Sequence, residues 1–317
     1  MEWPLVTVII AAYNRNDILK EAIESIDYPN SEIIVVDDGS TPSVEDEVDL
    51  SIYKNCRLIT KENGGVSSAR NVATKAGHGK YFAHLDSDDE YEPGKLQKIV
   101  QLMEKYPKIG FAFHDISRFR RKDGRRERYE NLHSDYFPAY NKLCSTKNCI
   151  DKNSYVIESR LAFRLLTSGN PIFPSSVVMR SDLVTQIDPW NETLKVCGDM
   201  EYFARALTHT DAIYVSTPLT KMGMGENNLS KNQFRQLKSD TNILLSLKAK
   251  ITHEPHHSAL NASIKSRFLD LGWNYKAQGL LEDAERAYTT SFLTKPSSKA
   301  AINILILKLR SLFKTER

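Results

Sequence analysis

Over its first hundred or so residues the chain repeats one local pattern four times: a short apolar run, a polar loop, and a segment of helical period. Leu5-Val6-Thr7-Val8-Ile9-Ile10-Ala11-Ala12 is nearly continuous in apolar residues. Such a run suits a strand buried on both faces rather than one with a wet side. It stops at Tyr13-Asn14-Arg15-Asn16-Asp17. Ile18, Leu19, Ala22, Ile23 and Ile26 then share one helical face, with Asn16 or Asp17 as the expected cap. Ile33-Ile34-Val35-Val36 runs into Asp37-Asp38-Gly39-Ser40. A weaker strand, Arg57-Leu58-Ile59-Thr60, leads to Glu62-Asn63-Gly64-Gly65, and Ser67-Ser68-Ala69-Arg70-Asn71 opens a helix expected to end near Gly77. Tyr81-Phe82-Ala83-His84-Leu85 runs into Asp86-Ser87-Asp88-Asp89. This rhythm predicts an α/β fold with an open parallel sheet and helices on both faces.

In sheets of that kind, ligands bind beyond the carboxyl ends of the strands. Tyr13, Asp38, Arg70, Asp86 and Asp88 all fall at or just past those ends. A cluster of carboxylates leaving a buried strand is electrostatically unfavourable unless a cation sits there. Asp86 and Asp88, one residue apart, offer hard oxygen ligands on one short loop. That suits Mg²⁺ or Mn²⁺ shared with substrate phosphates. Taken alone, the cluster also reads as an Asp-rich turn; two further strands with polar ends favour a site. No G-x-G-x-x-G follows the first strand and no G-x-x-x-x-G-K-[ST] occurs, which argues against a dinucleotide fingerprint and a P-loop. Gly64-Gly65 reads only as a turn. A nucleotide here would be held by carboxylates, a metal and Arg70.

Val6-Thr7-Val8-Ile9-Ile10-Ala11-Ala12-Tyr13-Asn14, Ile34-Val35-Val36-Asp37-Asp38-Gly39-Ser40, Asn63-Gly64-Gly65-Val66-Ser67-Ser68-Ala69-Arg70-Asn71 and Leu85-Asp86-Ser87-Asp88-Asp89 resemble, in order and spacing, the family-2 inverting glycosyltransferases of the GT-A fold. The resemblance covers roughly the first hundred residues. It implies a nucleotide-sugar donor, with UDP as the family expectation, a divalent Mn²⁺ or Mg²⁺, and transfer to an acceptor hydroxyl with inversion. It places Ala11, Tyr13, Arg15, Asp38, Arg70, Asp86 and Ser87 around the donor, the base and ribose falling to Tyr13, Asp38 and Arg70. It gives Asp86 to the ribose or metal and Asp88 to the metal bridging the diphosphate.

The same family carries a catalytic carboxylate further on, usually as Glu-Asp at a helix start. Cys197-Gly198-Asp199-Met200-Glu201-Tyr202-Phe203-Ala204-Arg205 is the match, with Met200, Phe203, Ala204 and Leu207 as an apolar stripe. The pattern alone does not separate a helix cap from a general base at Asp199; the upstream blocks favour the base. Gly198 replaces the family Glu. Glu201 is the substitute to consider, and it is expected to face solvent.

At 317 residues, the chain has room for one large domain and a small appendage. A net charge of +3 does not suggest a nucleic-acid binder. Only Met1-Glu2-Trp3-Pro4 precedes the first strand, so no signal peptide is expected, and no apolar run approaches the roughly 20 residues of a membrane span. Cys56, Cys144, Cys149 and Cys197 lack zinc spacing and suit free thiols in a reducing cytoplasm.

Arg118-Phe119-Arg120-Arg121-Lys122, Asp123-Gly124 and Arg125-Arg126-Glu127-Arg128 read as a basic hairpin with a type I′ turn, a solvated edge before a phosphate or headgroup site. Asn170-Pro171-Ile172-Phe173-Pro174-Ser175-Ser176 lies where the resemblance puts the acceptor side. Asn227-Asn228-Leu229-Ser230 resembles the family's late loop over the donor, without its usual His. Residues 1–250 are read as the catalytic domain and 255–317 as a helical extension. In the latter, Leu269 to Gly279 and Glu282 to Tyr288, closed by Pro296, resemble one tetratricopeptide-type hairpin, which cannot bury its own face. The last helix sets Ile302, Leu305, Ile306, Leu309, Leu312 and Phe313 along one side, with Lys308, Arg310 and Lys314 nearby. Capping the hairpin is the favoured role for that side, ahead of lying on a membrane.

The reading is a non-processive enzyme, cytoplasmic or peripheral at the inner face of the membrane, that glycosylates a carbohydrate or glycolipid for cell-surface polysaccharide or glycoconjugate synthesis. Asn232-Gln233-Phe234-Arg235-Gln236 does not supply the Gln-x-x-Arg-Trp of processive synthases. Two alternatives stand beside it: a sugar-phosphate nucleotidyltransferase, which would carry a glycine-rich basic loop after the first strand, and an inactive donor-binding scaffold.

Overall fold

The computed structural model describes residues 5–122, 125–145, 147–224 and 233–314. The chain forms two compact units, Met1–Asn228 and Leu229–Arg317. In the first unit the elements run β1 (Val6–Ala12), α1 (Asn16–Glu24), β2 (Ser31–Asp37), α2 (Val44–Glu47), β3 (Cys56–Thr60), α3 (Val66–Ala76), β4 (Tyr81–His84), β5 (Glu90–Tyr91) and α4 (Lys95–Lys105). Then follow β6 (Phe111–Lys122), β7 (Arg125–Arg128), β8 (Cys149–Asp151), β9 (Ser154–Ile157), α5 (Ser159–Gly169), β10 (Val178–Arg180), α6 (Ser181–Gln186), α7 (Gly198–Leu207) and β11 (Ala212–Gly223). The second unit holds α8 (Gln233–Lys250), α9 (His256–Ala277), α10 (Leu281–Thr294) and α11 (Ser298–Lys314).

The sheet order is β3-β2-β1-β4-β10-β6-β11-β9-β8, with β5 beside β11 and β7 beside β6. The four strands read from the apolar runs are mutually parallel, as that pattern requires. Beyond β4 the sheet turns mixed: β10 runs antiparallel to both β4 and β6, while β6 and β11 are parallel. Alternation along the strands explains the two helical layers. Val8, Ile10 and Val35 pack with Leu19, Ile23, Leu96 and Ile99 of α1 and α4. Ile9, Ile34 and Val36 point the other way, onto Ala69 and Ala73 of α3.

One local expectation is amended, and two fall partly or wholly outside the described residues. Helix α1 has Arg15 rather than Asn16 or Asp17 at its N-cap; Asn16 is the first helical residue, and its side-chain amide donates to the carbonyls of Pro42 and Ser43. The basic hairpin is β6 against β7, pairing Phe119 with Arg128, and its Asp123-Gly124 turn lies outside the described residues. The Asn227-Asn228-Leu229-Ser230 loop and Asn232 also lie outside them.

The helical unit begins earlier than the composition suggests. Helix α8, assigned to residues 1–250 on sequence, belongs to the second unit. It is fixed to α9 by a buried Asp240–Arg267 pair at 3.6 Å and by Phe234 edge-on to Tyr275 at 5.4 Å. In the hairpin proper, Ala284 and Tyr288 of α10 are buried, and Tyr288 lies over Gly272 of α9, where a Cβ would stand 2.6 Å from the ring. On α11 the packed side is Ile304 and Leu307, not the Ile302-Leu305-Ile306-Leu309 side expected to cap the hairpin.

Candidate functional site

The carboxyl ends of β1, β2 and β3 are level, since Ala12 pairs with Asp37 and Asp37 with Thr60. β4 continues past His84 when the Leu85 amide donates to the Ile9 carbonyl. The loops that follow therefore share one edge of the sheet, and this edge carries most of the residues singled out in the sequence.

Ala11 is in β1 and Tyr13 stands half-exposed just past its end. Asp37 acts locally, its carboxylate accepting from the Ser40 and Val44 amides and so shaping the turn into α2. Asp38 is buried and accepts from Lys61 Nζ at 2.7 Å and from the Gly64 and Gly65 amides at 3.0 and 2.7 Å. Those two glycines thus do more than turn the chain: their backbone N–H groups, with Lys61, neutralise a buried carboxylate.

Arg70 is buried on the first turns of α3. Its guanidinium bonds Asp86 Oδ1 at 2.7 Å and lies 4.6 Å from the centroid of the Trp190 ring. The next residue, Asn71, holds Trp190 by its backbone at both N–H and C=O. Asp86 is the more open partner, 37 % exposed against 7 % for Arg70. Asp86 is thus a partly open carboxylate with one oxygen bonded to a buried arginine.

The four residues after β4 divide their roles. Ser87 is buried, and Asp86 and Asp88 are partly exposed. Asp89 turns into the protein, where it accepts from the Gly223 amide at 2.9 Å and from the Ser175 hydroxyl. Burial, then the charges of Asp86 and Asp88, push the Asp89 carboxyl well above the usual carboxylate range. Lys95 is buried beside it; burial pulls its ammonium well below the usual lysine range, opposed by the field of Asp89. Its Nζ donates to the Ser175 carbonyl at 2.6 Å and sits 3.3 Å over the Tyr91 ring. Ser175 Oγ in turn accepts from the Asp86 amide at 2.9 Å. Gly223 closes the loop from the other side: a Cβ there would stand 2.3 Å from the Asp88 carbonyl oxygen, so only glycine lets β11 approach this closely.

Asp199 lies in the first turn of α7 without capping it; the N-cap is Cys197, held at φ +58°. Its Oδ1 accepts from the Met200 amide at 2.9 Å, and its Oδ2 from the Asn170 side chain at 3.1 Å. Burial raises its pKa above the ordinary aspartate value, opposed by Arg70, Asn170 and the Met200 amide and assisted by the charge of Asp86. A Cβ on Gly198 would stand 3.0 Å from Ser67 Oγ, a tight contact that a turn of the serine hydroxyl would relieve. The expectation that Glu201 faces solvent is corrected. Glu201 is buried and forms two 2.9 Å bonds with Arg205, one turn on.

The sheet edge thus gathers Tyr13, Asp38, Arg70, Asp86 and Asp88, and the fields of Arg70 and Asp86 reach Asp199. Arg15 is placed at the N-cap of α1. Sequence reasoning missed Lys61, Lys95 and Trp190, and it singled out the loop of Asn170 and Ser175 without giving either residue a role. Among the described residues no three His, Cys, Asp or Glu side chains converge as a metal cage. Two acidic side chains on one loop fit Mg²⁺ or Mn²⁺ when substrate phosphates supply further oxygens.

This mixed sheet, parallel from β3 to β4 and with an acidic loop beyond β4, is a GT-A type fold. Residues 7–163, just under half of the chain, match Glycosyl transferase family 2. TuaG of Bacillus subtilis, a putative teichuronic acid biosynthesis glycosyltransferase, is 36% identical over 109 residues, 32% of this chain and 42% of its own. WfaP of Escherichia coli, a UDP-Glc:alpha-D-GlcNAc-diphosphoundecaprenol beta-1,3-glucosyltransferase, is 38% identical over 115 residues, 34% of this chain and 45% of its own. The chain therefore spans less than half the length of these curated relatives. In fold, TarS of S. aureus, solved with UDP-GlcNAc, superposes with TM-score 0.64 at 15% identity, over 95% of this chain and 88% of that one. The mannosyltransferase PcManGT of Pyrobaculum calidifontis, solved with GDP-Man and Mn²⁺, gives 0.61 at 18% identity, over 99% of this chain and 82% of that one.

Proposed function

We propose that the chain transfers a sugar from a nucleotide-sugar donor, a UDP-sugar first among them, to an acceptor hydroxyl with inversion. One observation carries the proposal: a carboxylate of raised pKa, Asp199, stands in the electrostatic reach of an arginine–aspartate pair at the strand ends. In an inverting transfer, the acceptor oxygen attacks the anomeric carbon as the bond to the diphosphate oxygen breaks. Asp199 takes the acceptor's proton, a step worth roughly 10²–10⁴ in rate for a well-placed base, and its raised pKa strengthens it as one. Arg70 opposes the negative charge that builds on the leaving diphosphate. Its stacking on Trp190 keeps the guanidinium in place without reorganisation during the step. Asp86 and Asp88 would hold a divalent ion, which when bound supplies further countercharge to the diphosphate. Tyr13, exposed at the end of β1, offers a ring face for the base. The acceptor is a carbohydrate or glycolipid; the names of TuaG and WfaP support a place in cell-surface polysaccharide synthesis.

The test is a thermal-shift series with UDP, GDP and dTDP, with and without Mn²⁺, followed by release of nucleoside diphosphate from the matching sugar donor. A ligand at one hundred times its Kd stabilises the native state by about 2.7 kcal/mol, which a melting curve resolves. UDP with Mn²⁺ is expected to give the largest shift, and UDP-sugar hydrolysis to be slow but measurable. No shift with any of the three would refute a nucleotide site. Binding without turnover would select the inactive scaffold, and pyrophosphate release from a nucleoside triphosphate and a sugar phosphate would select the nucleotidyltransferase.

A further inference from the structure

Helix α11 carries two apolar lines, and the hairpin uses one of them. Ile304 and Leu307 pack with Ala284, Leu281 and Tyr288 of α10 and with Leu269 and Tyr275 of α9. Ala300, on the same line, is buried, and Asn303 lies 3.5 Å from Lys276 Nζ. Ile302, Leu305, Ile306 and Leu309 remain 55%, 59%, 37% and 45% exposed. Each of these four is displaced by two residues from its counterpart among 300, 303, 304 and 307, a rotation of about 200° around the helix. The exposed line is thus opposite the packed one. Turning the helix to bury it would uncover the other, so the hairpin cannot cover both.

Charge indicates what covers the second line. Residues 287–315 include Lys295, Lys299, Lys308, Arg310 and Lys314 and no Asp or Glu. At about 100° per residue, Lys299 falls on one flank of the exposed line and Lys308 on the other. An apolar stripe between lysines is the arrangement that lies flat in a bilayer surface, with aliphatic stems along the acyl boundary and ammonium groups among anionic headgroups. Among the described residues no helix is long and apolar enough to cross a membrane.

We propose that α11 docks the protein on an anionic lipid surface, inserting Ile302, Leu305, Ile306 and Leu309 at the level of the headgroups. The proposal does not depend on the donor or on Asp199, so the two readings fail separately. The test is co-sedimentation of the full chain with vesicles of phosphatidylcholine alone and of phosphatidylcholine mixed with phosphatidylglycerol. Binding is expected to the mixed vesicles and to weaken with salt. Leu305→Ser combined with Leu309→Ser should reduce partition about tenfold or more, and Lys299→Glu combined with Lys308→Glu should act similarly. Leu305 and Leu309 lie away from the packed line, so melting temperature and circular dichroism should hold for the serine pair; the same two measurements check that the charge pair, whose Lys299 lies in the field of Asp270, is folded. Three results would overturn the proposal: no binding to mixed vesicles, equal binding to neutral ones, or variants that bind like the parent. Sedimentation equilibrium showing a dimer that Leu305→Ser dissociates, without vesicle binding, would assign the line to a second copy of the chain instead.

Discussion

Gly223→Ala tests the geometry of the acidic loop at a residue that carries no chemistry. The added Cβ would lie 2.3 Å from the Asp88 carbonyl oxygen, and the obstacle is backbone, not a side chain that can rotate away. Ordinary C···O contacts begin at about 3.3 Å, so β11 and the Asp88 loop must separate by about 1 Å. The Gly223 amide is also bonded to Asp89 Oδ1 at 2.9 Å, so the same displacement stretches that bond. Overpacking of this kind typically destabilises by about 1–3 kcal/mol, which leaves a folded protein in most domains. A shift of about 1 Å in a positioned group can lower turnover about 10²-fold. The expected outcome is therefore a modest fall in melting temperature with a large fall in kcat/KM and in Mn²⁺-dependent donor affinity. Calorimetry and steady-state kinetics on the variant, below its melting transition, measure both. Unchanged donor affinity and turnover would show that Asp88 does not depend on its contact with β11, and the assignment of Asp88 to the diphosphate would lose its structural basis.

Asp199→Asn should lower kcat by roughly 10²–10⁴ with little change in donor affinity or melting temperature. The Asn keeps the acceptor for Met200, and Asn170, whose Oδ1 is buried and unbonded, can turn its amide to meet the new NH₂. Near-normal turnover would place the base elsewhere. The acid limb of kcat/KM should lie above the ordinary aspartate pKa of about 3.9, because burial raises Asp199 and the rate falls as pH drops through that value. Asn170→Ala removes a bond that favours the charged carboxylate and should move the limb to still higher pH; a downward move would contradict the assignment. Arg205→Met strands the Glu201 carboxylate in a buried site and should destabilise by about 3–5 kcal/mol in a denaturant melt. A change under about 1 kcal/mol would mean that Glu201 finds water or another partner.

The parallel strands were legible because burial on both faces leaves a continuous apolar signature, and their loops because polar residues cluster locally where each strand ends. The antiparallel β10 was not, since three residues of strand carry no period. Asp38, Arg70, Asp86 and Asp88 could be read from sequence, yet the groups that hold them could not. Ser175 is 89 residues from Asp86, and Lys95 is 80 from Ser175. Trp190 is 119 from Asn71. No local pattern encodes such pairings. Glu201 was a different kind of miss: Arg205 one turn later was a visible partner, but nothing local said the pair would be buried. On α11 both apolar lines have the same period, so periodicity alone could not say which of them packs against α9 and α10.

Ser175 shows why a lysine is kept in this core. Its carbonyl takes Lys95 Nζ and the Thr220 hydroxyl, while its own hydroxyl takes the Asp86 amide. An apolar side chain at position 95 would leave that carbonyl one donor short and remove the ammonium that the field of Asp89 favours. The same short segment begins at Asn170, in the left-handed region at φ +52°, whose amide reaches Asp199. One largely buried stretch therefore connects the loop proposed to meet the diphosphate with the carboxylate proposed to activate the acceptor. Inversion needs nucleophile and leaving group in line, so an error in their separation is more harmful than an error in either alone. Fixing both ends to a single buried serine loop, rather than to two independent ones, limits that error to the few torsions between Asn170 and Ser175.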